Sequence, residues 1–436
     1  MPDPAAPLGD ASAPTTRAFW RALPGPAKWL LSTVVLGSLG RGLVFAFTAI
    51  YLHEVRGMAL DTVGLLVGGA GVAAVAAAAW GGPLIDHRGA RAALIACYVA
   101  AVAGDALLAF VSTPAAAAGA FALVGTSFGL AWPGQNAMAS SLVSGGLRQQ
   151  YFGVNFALVN LGIGAGGLLA GLFVDPHRLW TFQALFLVDA ALLALPLVVL
   201  LGPLRAHPGR HAPDDGAGAP VAAGGYRAVW GHRAMRWYLV GALAISLIGY
   251  GQFEVGMPAF ARGVSEISPL ALGLAFGFNT GIIVVAQFAV MRCIDGRRRT
   301  RVLALSGAVW AVAWLGFGAT GLAPGGIAAA AGVCAALTLF GLGETLMQPA
   351  SSALVNELAP SHRRGRYNAA ASGAFQSGAI LAPLGSGALL HAGLPAVFIA
   401  VLVALCGAIV VAFLRMERLV TPRENGVGDD PGSSPT

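Results

Sequence analysis

The chain has 436 residues, is 57% hydrophobic and only 10% charged, and has a mean hydropathy of +0.74. That is too little polar surface to cover a water-soluble core, which excludes a soluble globular fold. Its net charge of +7 comes from cationic residues scattered between apolar runs, with no basic stripe for nucleic acid, so the composition leaves a polytopic membrane protein.

In chain order, residues 1–27 are rich in Pro, Ala and Ser and read as a disordered N-terminus without the features of a signal peptide. Apolar runs long enough to cross a bilayer, at about 20 residues each, then follow one another. They fall at 28–52, 58–82, 92–112, 115–143, 151–174, 179–201, 236–261, 268–292, 301–321, 325–357, 367–391 and 395–415. Nothing alternates at period two over a strand length, so a transmembrane β-barrel is excluded. The expected fold is all-α, with twelve transmembrane helices. The hydrophilic stretch 202–235 has linker composition and separates a bundle at 28–201 from a second at 236–415, with a disordered tail at 416–436.

With the N-terminus placed in the cytoplasm, only Arg56, Arg178 and Arg262 fall outside. Arg41 lies within a span, and every other cationic residue falls inside. This positive-inside bias predicts a multi-pass protein of the inner or plasma membrane with both termini cytoplasmic. Cys97, Cys293, Cys334 and Cys406 have no metal or redox spacing and read as small helix-packing residues.

The two halves repeat. An offset of 209 carries Gly40, Gly42, Gly64, Gly68 and Asp86 onto Gly249, Gly251, Gly273, Gly277 and Asp295. Farther along, an offset of 216 carries Tyr151, Gly162 and Gly171 onto Tyr367, Gly378 and Gly387. A drift this small over several helix pairs implies two pseudo-symmetric six-helix bundles.

Between the second and third spans stands Gly82-Pro83-Leu84-Ile85-Asp86-His87-Arg88-Gly89-Ala90-Arg91. With the six-plus-six layout, this loop resembles the signature of the major facilitator superfamily over roughly residues 28–415. His87 and Ala90 depart from the basic residues usual there, and the second-half copy keeps Asp295 but not the first glycine. The resemblance implies that Gly82, Asp86, Arg88, Gly89, Arg91 and Asp295 form a conformational latch. The fifth span reads Gly162-Ile163-Gly164-Ala165-Gly166-Gly167-Leu168-Leu169-Ala170-Gly171. It is similar to the glycine motif of proton-coupled drug and multidrug exporters, with Gly167 in place of the proline. A proline appears instead in the matching eleventh span, as Pro383. Ordinary small-residue packing explains much of the same pattern.

Five ionisable residues interrupt the spans: Arg41, Asp105, Asp189, Glu254 and Glu344. A charge at mid-bilayer costs about 2.5–3.5 kcal/mol even on the lenient scale, so each needs a partner or a function. At about 1.5 Å per residue, Arg41, Asp105 and Asp189 lie near one depth, and the two aspartates read as buried charge partners of the arginine. In the family, the first, seventh and tenth spans line a central cavity. That assigns Arg41 to substrate or to a structural pair, and Glu344 and Glu254 to proton coupling, since an unpaired carboxyl in an apolar cavity can be neutral on one side and charged on the other. Glu254 lies in the outer third of its span and can equally snorkel toward water. Trp132, Asn136, Tyr250, Phe253, Asn279 and Gln348 are the remaining expected cavity residues, with packing as the alternative for each.

These readings predict a secondary active transporter working by alternating access, exporting small amphiphilic compounds or drugs by proton antiport. The alternative is uptake of an anionic metabolite held by Arg41, and a non-transporting membrane sensor on the same fold is a third reading. No nucleotide loop or catalytic constellation supports an enzyme. The partners expected are a small-molecule substrate and the lipid bilayer, with no nucleic acid, no metal and no cofactor beyond the proton gradient. A monomer is expected.

Overall fold

Long apolar runs broken by Gly, Pro and charge fold here into helices alone; among the described residues there is no strand. The computed structural model describes residues 16–209, 227–294, 296–360 and 364–427. After a short helix at Thr16–Ala22 come α1 (Gly25–Val55), α2 (Leu60–Arg88), α3 (Ala90–Leu108), α4 (Pro114–Leu142), α5 (Gly145–Phe173) and α6 (Leu179–Leu201). A short helix at Arg227–Gly231 precedes α7 (Arg233–Phe253), which continues through a break as Gly256–Gly263. Then follow α8 (Pro269–Ile294), α9 (Arg299–Ala319), α10 (Gly326–Leu358), α11 (Arg364–His391) and α12 (Pro395–Glu417).

Eleven of these twelve are both long and apolar enough to cross a membrane. The exception is α11, which has the length, at 28 residues, but carries Asn368, Ser372, Gln376 and Ser377. It packs between α2 and α7 instead of presenting an all-apolar surface to lipid, which is why its composition is more polar than its neighbours'.

Neither α1 nor α7 is the unbroken rod its hydropathy suggests. The first is interrupted at Thr33 and at Ala46–Phe47 and ends in a π-helical turn at Tyr51–Val55. The seventh breaks at Gly249 and again at Val255. Gln252 Nε2 donates to the Leu247 carbonyl at 2.8 Å and satisfies one of the groups freed by the first break.

The repeated glycines sit at corresponding backbone contacts. A side chain at Gly162 would strike α1 at Val35 and Leu39; one at Gly378 would strike α7 at Leu243 and Ser246. Between the halves, Gly171 meets Gly273 where α5 crosses α8, and Gly387 meets Gly64 where α11 crosses α2. Only hydrogen at Cα allows backbones this close. Gly166 rests on α1 near Leu39 and Leu43, and Gly167 lies nearest Phe276 of α8, so the α5 glycine motif faces two neighbouring helices. Within the first half, Gly125 of α4 is pressed on the Ala70 carbonyl of α2. Gly125→Val should therefore destabilise the bundle by about 1–3 kcal/mol. Thermal unfolding in detergent would measure it, and an unchanged midpoint would refute the close approach.

The ends of the bundles are stitched in the same symmetric way. The segment after α6 caps α3: Ala90 N donates to Gly209 O at 3.3 Å and Arg91 N to Pro208 O at 3.1 Å. The segment after α12 caps α9: Arg299 N donates to Asn425 O and Thr300 N to Asn425 Oδ1, both at 2.9 Å. Residues 418–427 of the expected disordered tail are therefore ordered by α9, and residues 16–27 of the expected disordered N-terminus are helical apart from Leu23 and Pro24, with Phe19 and Leu23 buried. Their local composition gave no sign of either contact.

Candidate functional site, a charged cavity between the halves

The two halves enclose a cavity of about 660 Å³ between α1, α2, α4, α7 and α11. A second lobe of about 300 Å³ runs along the first half. It shares Arg41, Phe128 and Trp132 with the first and reaches Leu30, Tyr151 and Asn155. A third lobe of about 120 Å³ lies between α5, α7, α8 and α10, sharing Phe45 and Tyr250 with the first.

The cavity extends toward the end at which α1 begins and α12 finishes. Leu30, Thr33 and Ser38 of α1 and Tyr151, Phe152 and Asn155 of α5, which line the second lobe, lie in the halves of those helices nearest that end, and Gln135 and Asn136 approach the end of α4 there. At the opposite end the halves are joined. Arg262, past the α7 break, donates through Nε and Nη2 to Glu54 at 2.9 and 2.6 Å. His391 Nε2 lies 3.9 Å from Asp61 Oδ2, and both glycine crossings are on this side.

Aromatic side chains form the wall between the lobes. Phe45 of α1 meets Phe253 of α7 at 6.3 Å between ring centroids, and Tyr250 meets Phe253 at 5.9 Å and Phe375 of α11 at 5.5 Å. The break at Gly249 places Tyr250, Phe253 and Glu254 on one short turn facing this region.

One pole of the cavity belongs to Arg41. Its Nη2 donates to Asp105 Oδ2 at 3.2 Å, and its Nη1 lies 3.7 Å from Asp189 Oδ2. Both aspartates are fully buried. The guanidinium also lies 5.1 Å from the centre of the Phe128 ring. Glu254 lines the same lobe from the other half, and the Arg41 charge acts on it. Glu254 was expected to have no cationic neighbour, because none stands on its own helix. The neighbour comes from α1, more than two hundred residues away in sequence. Close packing of Gly40 against Asp189 and Leu192 brings α1 and α6 together and makes the cluster compact.

The other pole is Glu344 on α10. It is 6% exposed and accepts from Asn279 Nδ2 at 3.3 Å, and the Tyr250 side chain lies within hydrogen-bonding reach. Asn279 also donates to the Leu337 carbonyl at 3.0 Å. Glu344 is thus held by Asn279 of α8, with Tyr250 of α7 beside it, and neither neighbour is the cation that its own helix also lacks. Gln348, one turn on, lines the same lobe.

Trp132 and Asn136 both line the second lobe, and Asn279, Phe253 and Tyr250 line the third. Missing from the expected set were Phe45, Phe128, Phe375, Ser372 and Gln376. Ser372 and Gln376 stand one turn apart on the unusually polar α11, which was the available signal. The phenylalanines carried none, because an aromatic in an apolar run looks the same whether it faces lipid, core or cavity.

The loop after α2 lies away from this cavity. Gly89, at φ +89°, turns the chain from α2 into α3 in one residue, a conformation that favours glycine. Arg91 Nε donates to Leu200 O at 2.8 Å within its own half. Asp86 and Arg88 are exposed, and a side chain at Gly82 would meet nothing within 4 Å. Asp295 lies outside the described residues. In this state Arg91 braces its own bundle and does not tie the halves.

The family model described as Major Facilitator Superfamily matches residues 30–331 and 296–434. An uncharacterized MFS-type transporter of Bacillus subtilis (strain 168), YttB, is 23% identical over 412 residues, covering 92% of this chain and 98% of its own length. Among solved structures, a peptide transporter POT in complex with sulfate superposes with a TM-score of 0.71 at 18% identity, over 92% of this chain and 95% of that one. A D-xylose-proton symporter superposes at 0.70 and 13% identity, over 92% and 99%.

Proposed function

This chain belongs to the major facilitator superfamily, and from that premise we propose that it exports small amphiphilic compounds, neutral or cationic, in exchange for protons across the cell membrane. The supporting observation is the state of Arg41. Among the described residues lining the three lobes it alone is cationic, and two buried aspartates already engage it. An anionic metabolite would have to compete with those aspartates, whereas a cation or a neutral amphiphile meets Glu254, Glu344 and an aromatic wall. This weighs against the uptake reading.

The geometry supports a reading of alternating access. The halves meet at two glycine crossings and an ion pair, and the cavity extends toward the other end. With both termini in the cytoplasm, as the arginine distribution argues, this is an inward-facing carrier. Substrate enters among the aromatics, the halves rock, and the Glu54–Arg262 contact parts to release it outside. Glu344 can exchange a proton during that cycle, since Asn279 and Tyr250 can hold either form of its carboxyl. The fold accommodates such coupling, as one solved neighbour is described as a proton symporter. We read the unit as a monomer and as a carrier without catalytic chemistry.

Flux into proteoliposomes tests the reading. A lipophilic cationic dye should move against its gradient when a pH gradient is imposed. Glu344→Gln should reduce that driven movement to background while sparing passive exchange of dye. Dye movement indifferent to the pH gradient, or a Gln variant equal to the parent, would overturn it.

A further inference from the structure

We infer that Asp105 and Asp189 form a proton-binding site in the first half, holding one proton between their two carboxyl groups beside Arg41. This site is separate from Glu344 on α10. Its occupancy does not depend on the transport reading above; only its use in coupling rests on that reading.

The argument starts from charge. Two carboxyl groups and one guanidinium share a site in which both aspartates have no exposed surface. With both ionised, the cluster would bury an uncompensated negative charge, which low-dielectric surroundings penalise heavily. One added proton makes it neutral.

Hydrogen bonding points the same way. Arg41 Nη2 satisfies one oxygen, Asp105 Oδ2, at 3.2 Å. Asp105 Oδ1 and both oxygens of Asp189 are buried without a donor. The contact of Asp189 Oδ2 with Arg41 Nη1, at 3.7 Å, is an ion pair too long for a hydrogen bond. Yet the two carboxyl groups face one another within hydrogen-bonding reach. Two carboxylates cannot bond to each other, since neither carries a donor, whereas one protonated carboxyl donates to the other and satisfies an oxygen on each. Among the described residues, the remaining neighbours supply no alternative donor. Gly40 of α1 presses its backbone on Asp189, the Phe128 ring of α4 lies beside the guanidinium, and the Cys97 thiol of α3 donates to Ser127 O at 3.2 Å. Across the cavity, α7 contributes Glu254, another acid.

Glu254 also gives the site a link to conformation. Arg41 stands in one half and Glu254 in the other. When rocking brings Glu254 near, Arg41 is shared among three carboxyl groups and the aspartate pair keeps its proton. When Glu254 withdraws, Arg41 is left to the pair alone and the proton is released more readily. The proton passes to water in the cavity; no bond other than that O–H is broken.

Infrared spectroscopy of the purified full-length protein in nanodiscs reads the proton directly. Asp61 and Asp86 are exposed and Asp175 is half-buried, so each is in contact with water, unlike Asp105 and Asp189. A protonated-carboxyl band at neutral pH that shifts when the protein is made with carbon-13 aspartate by cell-free synthesis, and not with carbon-13 glutamate, is the expected result. Asp189→Asn should then abolish the aspartate band. No aspartate-derived band in the parent at neutral pH would overturn the inference, as would a band that survives Asp189→Asn. The labelled parent decides the matter even where the variant does not fold. The dye-flux result leaves this readout untouched, so failure of the transport reading and failure of the site are distinguishable.

Discussion

Arg41→Ala is expected to cost about 3–5 kcal/mol of stability, the largest single-residue loss in the first half, because it leaves two buried carboxyl groups without their cation. Much of that cost is the stranded negative charge, and less of it is the lost attraction. Removing the charge along with the cation should therefore recover most of the stability. The variant Arg41→Met, Asp105→Asn, Asp189→Asn should unfold close to the parent in a detergent melt, while Arg41→Ala alone unfolds well below it. A single variant as stable as the parent would mean that the cluster is hydrated and structurally idle. A triple variant no better than the single one would mean that Arg41 acts through its packing on Phe128.

The second large effect is conformational. Gly64 lies so close to the Pro383 carbonyl and to Gly387 that a Cβ has no space, and the obstruction is backbone, which cannot rotate away. Gly64→Leu should wedge α2 from α11 and open the cavity at the end sealed by Glu54 and Arg262. A tenfold rise in the population open at that end corresponds to about 1.4 kcal/mol. The readout is labelling by a membrane-impermeant thiol reagent at Ala70→Cys on the cavity wall, after the four free native cysteines are replaced. Glu54→Gln should move labelling the same way but less, because one arm of a bidentate pair is lost while the helix crossing stays intact. Unchanged labelling in both would mean that these contacts do not hold the end closed.

The mirrored roles of Gly64 with Gly387 and Gly273 with Gly171 show what the internal repeat encodes. The sequence displayed four glycines at two fixed offsets, and their pairing into two backbone crossings appears only when the helices are placed. The glycine motif of α5 has a packing function on α1 and α8 that needs no appeal to transport direction. Its likeness to exporter motifs accordingly carries little weight beside the state of Arg41.

Composition, hydropathy and charge asymmetry determined the class of molecule, the positions of nearly all its spans and the short roster of intramembrane charges. These properties are local. A span is apolar because lipid surrounds it, and a charge inside one is conspicuous wherever it points. The tertiary structure decided the partners. It broke α7 at Gly249 and put Glu254 in the lobe that Arg41 lines, set Asn279 against Glu344, and gave Arg41 two aspartates from α3 and α6. It also decided that Phe45, Phe128 and Phe375 face the cavity. Helical periodicity places residues on a face, but which faces meet depends on close approach between helices distant in sequence, and no single span contains that information.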